Sequence, residues 1–144
     1  MRVIDILRQK GDEVTTIGPN STLEEASRKL TLHGIGALVV SNDSVTVLGL
    51  LFERDVVRHL AVMGRDGMDT LIADVMTRDD HTCTGSDTVE DLMRTMTDRR
   101  LRHVPVVENG RLVGLVSIGD VVKRRLVELE TEREHLHQYI QTGR

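Results

Sequence analysis

A nine-residue pattern occurs twice in this chain and limits its fold more than any other feature. Gly49-Leu50-Leu51-Phe52-Glu53-Arg54-Asp55-Val56-Val57 returns as Gly114-Leu115-Val116-Ser117-Ile118-Gly119-Asp120-Val121-Val122, so that Asp55 recurs as Asp120 at an offset of 65 positions. In each copy a glycine and an apolar run end at a carboxylate followed by two valines, the pattern of a buried strand feeding a helix. A repeat of this period predicts two similar half-domains, each burying its apolar face against the other. It also predicts two related crevices, each with a carboxylate at a strand-to-helix junction, as a ligand-sensing module would have.

The rest of each copy keeps one order. Val3-Ile4-Asp5-Ile6-Leu7 corresponds to Ile72-Ala73-Asp74-Val75-Met76, both short apolar segments with a central aspartate. Val14-Thr15-Thr16-Ile17 and His81-Thr82-Cys83-Thr84 are β-prone, and turn residues follow each, Gly18-Pro19-Asn20 and Gly85-Ser86-Asp87. Thr22-Leu23-Glu24-Glu25 reads as a capping box that starts a helix, with Thr88-Val89-Glu90-Asp91 as its weaker copy. Apolar residues then recur at helical spacing, at Leu23, Ala26 and Leu30 and at Val89, Leu92, Met93 and Met96. These helices run out at His33-Gly34 and Arg99-Arg100. Ala37 to Val40 and Val104 to Val107 read as buried strands, paired with strands over 45–51 and 111–116, the second pair through an Asn109-Gly110 hairpin turn. Final helices begin at Glu53 and Ile118. The order per half is strand, helix, strand, strand, helix, with Gly64-Arg65-Asp66-Gly67 as linker. The predicted division is 1–66, 67–125 and a helical extension over 126–144.

Composition narrows the function classes. The 144 residues suffice for a compact domain with a sizeable core. A net charge of −4 makes nonspecific nucleic-acid binding the wrong default, since that needs a basic face. Phe52 and Tyr139 are the only aromatic residues, so the core is aliphatic and base stacking cannot carry single-strand binding. The single cysteine, Cys83, excludes an internal disulfide and fits a reducing compartment. The absence of a membrane-length apolar run, and of a signal-like stretch after Met1, gives a cytoplasmic protein as the expectation. The six histidines are dispersed, and His135 and His137 do not share a helix face, so no metal site is expected. No glycine-rich phosphate loop and no nucleophile arrangement is legible, and the expectation is a protein that is not an enzyme.

The in-register repeat, with Leu101-Arg102-His103-Val104-Pro105-Val106-Val107 and Gly114 to Asp120, resembles a tandem pair of cystathionine-β-synthase (CBS) domains, a Bateman module of the small stand-alone bacterial type. The resemblance covers roughly residues 1 to 125. It implies an α/β (α+β) fold of two pseudo-symmetric repeats, each a small three-stranded sheet with two helices, plus the C-terminal helix. It also implies that the aspartate of one repeat grips the ribose of an adenosyl ligand while the front of the other frames the adenine. On that basis one pocket combines Ser117 and Asp120 with Thr16, Ile17, Gly18, Ile35, Gly36 and Ala37. The other combines Asp55 and neighbouring Arg54 with Thr82, Cys83, Thr84, Leu101, Arg102 and His103. The implied ligand is an adenine nucleotide, AMP, ADP, ATP or NAD(H), and the implied assembly is a homodimer that signals to an unknown protein partner, without nucleic acid or membrane; the alternative is a structural or protein-interaction module with one or both pockets vestigial.

Each of these residues also has a plainer role open to it. Asp55 and Asp120 sit where a carboxylate caps a helix and is favoured by its dipole; a carboxylate also suits a vicinal diol, two acceptors meeting two donors. Phe52, standing where the second repeat has Ser117, either fills the core or narrows the Asp55 pocket. Cys83 reads as a small buried residue. Arg99, Arg100, Arg102 and His103 are a solvated edge or a phosphate-binding cluster, since guanidinium groups bind phosphate bidentately. S-adenosylmethionine has no need of such a cluster. Beyond the repeat, Val122, Leu126, Leu129, Arg133, Leu136 and Ile140 make a heptad-like stripe, either lying on its own domain or joining a dimer.

Overall fold

The computed structural model describes residues 1–11, 13–78 and 81–142. Helix α1 (Val3–Lys10) leads into strand β1 (Thr16–Ile17), helix α2 (Leu23–His33), strands β2 (Ala37–Val40) and β3 (Gly49–Phe52), and helix α3 (Glu53–Met63). Two 3₁₀ segments, Gly64–Asp69 and Ile72–Asp74, join this half to helix α4 (Val89–Arg99), strands β4 (His103–Glu108) and β5 (Arg111–Ser117), and helix α5 (Ile118–Thr142). The predicted linker is thus itself helical, with Gly67 buried.

The first sheet has the order β1-β2-β3, with β1 parallel and β3 antiparallel to β2. In the second sheet β4 and β5 pair antiparallel through a turn in which Asn109 and Gly110 have φ of +52° and +76°. Both central residues take positive φ in the primed hairpin turn, and an Asn-Gly pair meets that demand. The expected third strand of this sheet is a single parallel bridge between Cys83 and Val106. Asp87 takes the Thr84 N–H at 2.8 Å and turns the chain away. The strand expected over 45–51 is likewise shorter. Asp43 accepts the N–H groups of Val45 and Thr46 at 2.9 and 2.7 Å, so pairing begins only at Gly49.

Threonine caps start both middle helices. Thr22 accepts the Glu25 N–H and Thr88 accepts the Asp91 N–H, at 3.3 and 3.1 Å. Both helices end in a left-handed residue, Gly34 in the first and Arg100 in the second.

The two hydrophobic cores are not colinear with the two sequence repeats. Val3, Ile6 and Leu7 of α1 pack with Val89, Leu92, Met96, Val104, Val116 and Val121 of the second half. Ile72, with Val75 and Met76 against it, packs with Leu23, Leu30, Leu38, Leu51 and Val56 of the first. The leading segments are exchanged, and their backbones dock in matching ways. The Val3 and Ile4 N–H groups donate to Asp87 and Gly85, and the Ile72 and Ala73 N–H groups donate to Ser21 and Pro19.

The repeated glycines make the exchange possible. A Cβ on Gly114 would stand 2.6 Å from Cδ2 of Leu7, and one on Gly49 would stand 3.2 Å from Sδ of Met76 and 2.7 Å from the Thr77 carbonyl oxygen. Leu7 and Met76 are the corresponding last residues of the two leading segments. Gly114→Ala should therefore cost about 1–3 kcal/mol through overpacking, and Leu7→Ala about 2–5 kcal/mol through the cavity it leaves. The double variant should be no less stable than Leu7→Ala alone, because the shortened side chain makes room for the new methyl. Urea unfolding of the three variants measures this; additive losses would show that the two residues do not share a seat.

Candidate functional site

Two crevices lie where the halves meet. The N-terminus of α5 sets the first. Ser117 Oγ accepts the Asp120 N–H at 3.1 Å, and Asp120 Oδ2 accepts the Ser117 N–H at 2.9 Å, a reciprocal cap. At the matching place on α3, Asp55 Oδ2 accepts the Phe52 N–H at 2.9 Å, but Phe52 has no side-chain acceptor to return. Asp5 does the same for Arg2 at 2.9 Å. Capping is thus a role that both repeated aspartates perform.

Each is also met by the leading segment of the other repeat. Lys10, at the end of α1, places Nζ 2.6 Å from Asp120 Oδ2 and donates to the Leu115 carbonyl at 2.8 Å. Thr77, just past the second leading segment, donates to Asp55 Oδ2 at 3.4 Å. Burial pushes the Asp120 carboxyl up, but hydrogen bonds from Lys10 and the Ser117 N–H outweigh it and hold the group below its ordinary value.

A cavity of about 280 Å³ opens beside Ser117. Its walls are Ile35, Gly36 and Ala37 from the first repeat, Ser117, Leu115 and His103 from the second, and Lys10, Glu13, Val14 and Thr15 from the leading chain. Ile35, Gly36, Ala37 and Ser117 are therefore brought together. Asp120 stands behind them, facing a neighbouring groove that it shares with Lys10. Thr16, Ile17 and Gly18 do not line the cavity. Thr16 is within 3.1 Å of Ser44 through its hydroxyl and takes Lys29 on its carbonyl, Ile17 is in the core, and Gly18 turns toward α2. The chain that fronts the cavity runs from Glu13 to Thr15, a few residues earlier than the sequence reading placed it.

The second crevice is smaller, about 170 Å³, and is lined by Phe52, Arg54, Thr77, Arg99, Arg100, Leu101, Arg102 and His103 among others. Arg54, Leu101, Arg102 and His103 are brought together here, with Asp55 reached through Thr77. Thr82, Cys83 and Thr84 do not line it. Cys83 is 6% exposed within the second core, and burial, aided by Asp87 and Glu108, pushes its thiol up to about 12. Thr84 is engaged in the turn with Ser86 and Asp87. Arg54 lies 4.9 Å over the Phe52 ring, and the ring itself is 5.8 Å from that of His103.

His103 belongs to both crevices, and among the described residues its buried Nδ1 has no hydrogen-bond partner. Burial, and after it the charge on Lys10, pushes the imidazole below its ordinary pKa against the opposing pull of Asp120. Lys10 and Glu13 are charged lining residues that the sequence does not assign to a pocket, whereas Arg99 and Arg100 belong to the cluster read there as a solvated edge or a phosphate-binding group. The matched openings Val3–Leu7 and Ile72–Met76 were the available signal for Lys10, but only their exchange puts it beside Asp120. Among the described residues no group of three His, Cys, Asp or Glu side chains could hold a metal ion, and no helix is long and apolar enough to cross a membrane.

Comparison with known proteins places this architecture. The CBS domain family model matches twice, over residues 3–62 and 72–127. A mitochondrial CBS domain-containing protein of Arabidopsis thaliana, CBSX3, is 35% identical over 98% of this chain and 72% of its own length. The crystal structure of a CBS-domain containing protein, ATU1752, from Agrobacterium tumefaciens is 44% identical with a TM-score of 0.82, over 87% of this chain and 99% of that one. The CBS domain pair of protein MJ0100, crystallised with 5′-methylthioadenosine and S-adenosyl-L-methionine, is 26% identical with a TM-score of 0.75, over 85% of this chain and 98% of that one.

The geometry at His103 has a pH consequence. Its folded pKa lies below the ordinary value of about 6.5, so the unfolded chain takes up the proton first as pH falls. The contribution is present above pH 6.5 and is lost as pH drops through the folded pKa. Wild-type stability should therefore decline below pH 6.5 more steeply than that of His103→Gln, as measured by thermal melts from pH 7.5 to 5. Parallel curves would remove the buried imidazole from the account.

Proposed function

The chain belongs to the CBS domain family as a tandem pair, and we propose that it is a regulatory module that binds an adenine nucleotide in the cleft beside Ser117 and reports occupancy to a protein partner through a dimer. One observation carries this reading: Ser117, in a reciprocal cap with Asp120, stands across a 280 Å³ cleft from the Ile35-Gly36-Ala37 wall of the other repeat, with Asp120 behind it in the groove it shares with Lys10. That wall offers apolar side chains and close backbone for a base. Ser117 offers a hydroxyl inside the cleft, and Asp120 a carboxylate from the adjoining groove, for a ribose. The volume is near the lower end of the range of about 300–1,000 Å³ usual for small-ligand sites.

The adenosyl ligands of the 26%-identical domain pair support an adenosine moiety. The choice of a phosphorylated ligand, AMP, ADP, ATP or NAD(H), over a sulfonium one rests on charge. Lys10, paired with Asp120, and Glu13 line the cleft, and Arg54, Arg99, Arg100 and Arg102 line the crevice beyond His103, so an anion finds cationic partners on the His103 side. A diol arriving at Asp120 competes with Lys10 for the carboxylate, and a phosphate gives the displaced ammonium a new partner.

Dimerisation is argued from unburied apolar surface. Val57, Leu32 and Val62 of α2 and α3 are exposed, as are Leu126, Leu129, Leu136 and Ile140 along α5. A second copy covering these faces would tie cleft occupancy to quaternary geometry, by no more than the ligand's difference in affinity for the two states. No catalytic role is proposed. A cytoplasmic setting belongs to the same reading and rests on the free, buried Cys83. Phe52 favours a second reading for one crevice alone, as a pocket that no longer admits a nucleoside.

Isothermal titration with AMP, ADP, ATP, NADH and S-adenosylmethionine tests the proposal. At least one phosphorylated ligand should bind below millimolar concentration and more tightly than S-adenosylmethionine. Ser117→Ala and Asp120→Asn should each weaken it about tenfold or more. Absence of binding by all five, or indifference to both substitutions, would sink the reading.

A further inference from the structure

We infer that the outer half of α5 is one helix of a parallel, in-register coiled coil whose other helix is α5 of a second copy. The inference rests on the dimer of the functional reading and deepens it, by naming the helix that holds the dimer and its polarity. Helix α3 ends at Met63, which corresponds to Glu128 at the offset of 65 positions, but α5 runs on to Thr142. Every residue from Leu129 to Thr142 is exposed, so this addition to the repeat leaves the body of its own domain. Isolated helices shorter than about 12–15 residues are marginal in water, and most helical stability in proteins comes from packing an apolar face.

Such a face is present. Val122, Leu126, Leu129, Leu136 and Ile140 fall on the a and d positions of a heptad repeat, and all five are between 43% and 68% exposed. Arg133 is the one polar member of the stripe. The residues by which α5 holds its own domain are Val121 in the core, Arg124 on Gln9 and Glu128 beside the Met1 amine. At 100° per residue these lie on the opposite side of the helix from the stripe. The stripe therefore points away from its own chain, and a second helix has to cover it.

Charge selects that helix and its direction, through the e and g residues that flank the seam. Lys123, Glu130 and His137 stand at e, and Arg125, Glu132 and Tyr139 at g. Arg125 is held by Glu128 of its own helix at 2.8 Å, which leaves Glu130, Glu132 and Arg133 to decide. In a parallel pair of copies Glu132 faces His137, and Arg133 at a reaches Glu132 of the second copy. A single basic residue at a fixes the register at some cost in stability. In an antiparallel pair of full overlap, Glu132 opposes Glu132, Glu130 opposes Glu130 and Lys123 opposes His137. The antiparallel register that sets Lys123 on Glu130 overlaps only over 122–133 and leaves Leu136 and Ile140 in water. The parallel pair alone covers the whole stripe without opposing like charges along its flanks. Because α5 begins at the Ser117–Asp120 cap, it also sets both clefts at one end of the coil.

Sedimentation equilibrium and disulfide trapping on the full chain test it. The wild type should sediment as a dimer. Leu129→Glu with Leu136→Glu should raise the dissociation constant about a hundredfold, and both residues are exposed, so the domain keeps its fold. Glu132→Arg should weaken the dimer about tenfold, and Glu132→Arg with Arg133→Glu should restore it, a rescue that a purely apolar contact does not give. Leu136→Cys stands at d, where parallel helices bring the two copies of a residue together, and the native Cys83 is buried. Mild oxidation with glutathione should link Leu136→Cys to itself, and a mixture with Leu126→Cys should give no mixed disulfide. A mixed disulfide in preference to the Leu136→Cys homodimer is the antiparallel result and overturns the inference. A dimer that survives Leu129→Glu with Leu136→Glu overturns it too but leaves the dimer of the functional reading standing, held by Leu32, Val57 and Val62. A wild-type monomer overturns both. Nucleotide titration of the same proteins measures the cleft separately from all of these outcomes.

Discussion

Two glycines hold this molecule together by what they leave out. Gly49 and Gly114 are the repeated glycines of the sequence, and each seats the last apolar residue of the other repeat's leading segment, Met76 in one case and Leu7 in the other. Because the leading segments cross, neither core closes without a piece of the opposite half. Each crevice is therefore bordered by a leading segment that is seated in the opposite half, through Lys10 at Asp120 and Thr77 at Asp55.

The same crossing assembles the crevices. Lys10 continues from the α1 segment seated on Gly114, and it meets Asp120; Thr77 follows Met76 at Gly49, and it meets Asp55. Duplication supplies the frame, and three local differences divide its uses. Ser117 leaves a cleft where Phe52 fills one. Lysine stands at one aspartate where threonine stands at the other. Arg100 occupies a left-handed position that Gly34 occupies in the first copy. Each difference separates the two sites further in size and charge. The result is one cleft with apolar walls and a polar end, and one smaller cavity where Arg54, Arg99, Arg100 and Arg102 stand beside Leu50, Phe52 and Leu101.

Much of the fold was legible because local chemistry and global arrangement agree. Thr22 and Thr88 cap the helices they were expected to cap, Asn109-Gly110 makes the hairpin, and α3 and α5 begin at Glu53 and Ile118. Strand ends were less legible because side chains compete for backbone groups: Asp43 takes the N–H groups of Val45 and Thr46, and Asp87 takes that of Thr84. The wall of the first cleft was readable at Ile35, Gly36, Ala37 and Ser117 through the resemblance to CBS pairs, which implies that the front of one repeat faces the helix start of the other. Lys10 and Glu13 were not, because a linear reading assigns a leading segment to its own repeat. Only packing reveals that it serves the other.

The central claim is that an exchanged, duplicated frame presents one nucleotide cleft and one smaller cavity lined by arginines. A crystal structure of the protein soaked or grown with ADP tests it most directly. The account predicts one adenosine per chain, with adenine against Ile35-Gly36-Ala37, the ribose diol at Asp120 with Lys10 moved onto phosphate, and the second phosphate turned toward His103 and Arg102. Two adenosines per chain, with one base beside Phe52, or a nucleotide bound away from Ser117 with the Lys10–Asp120 contact intact, would contradict it.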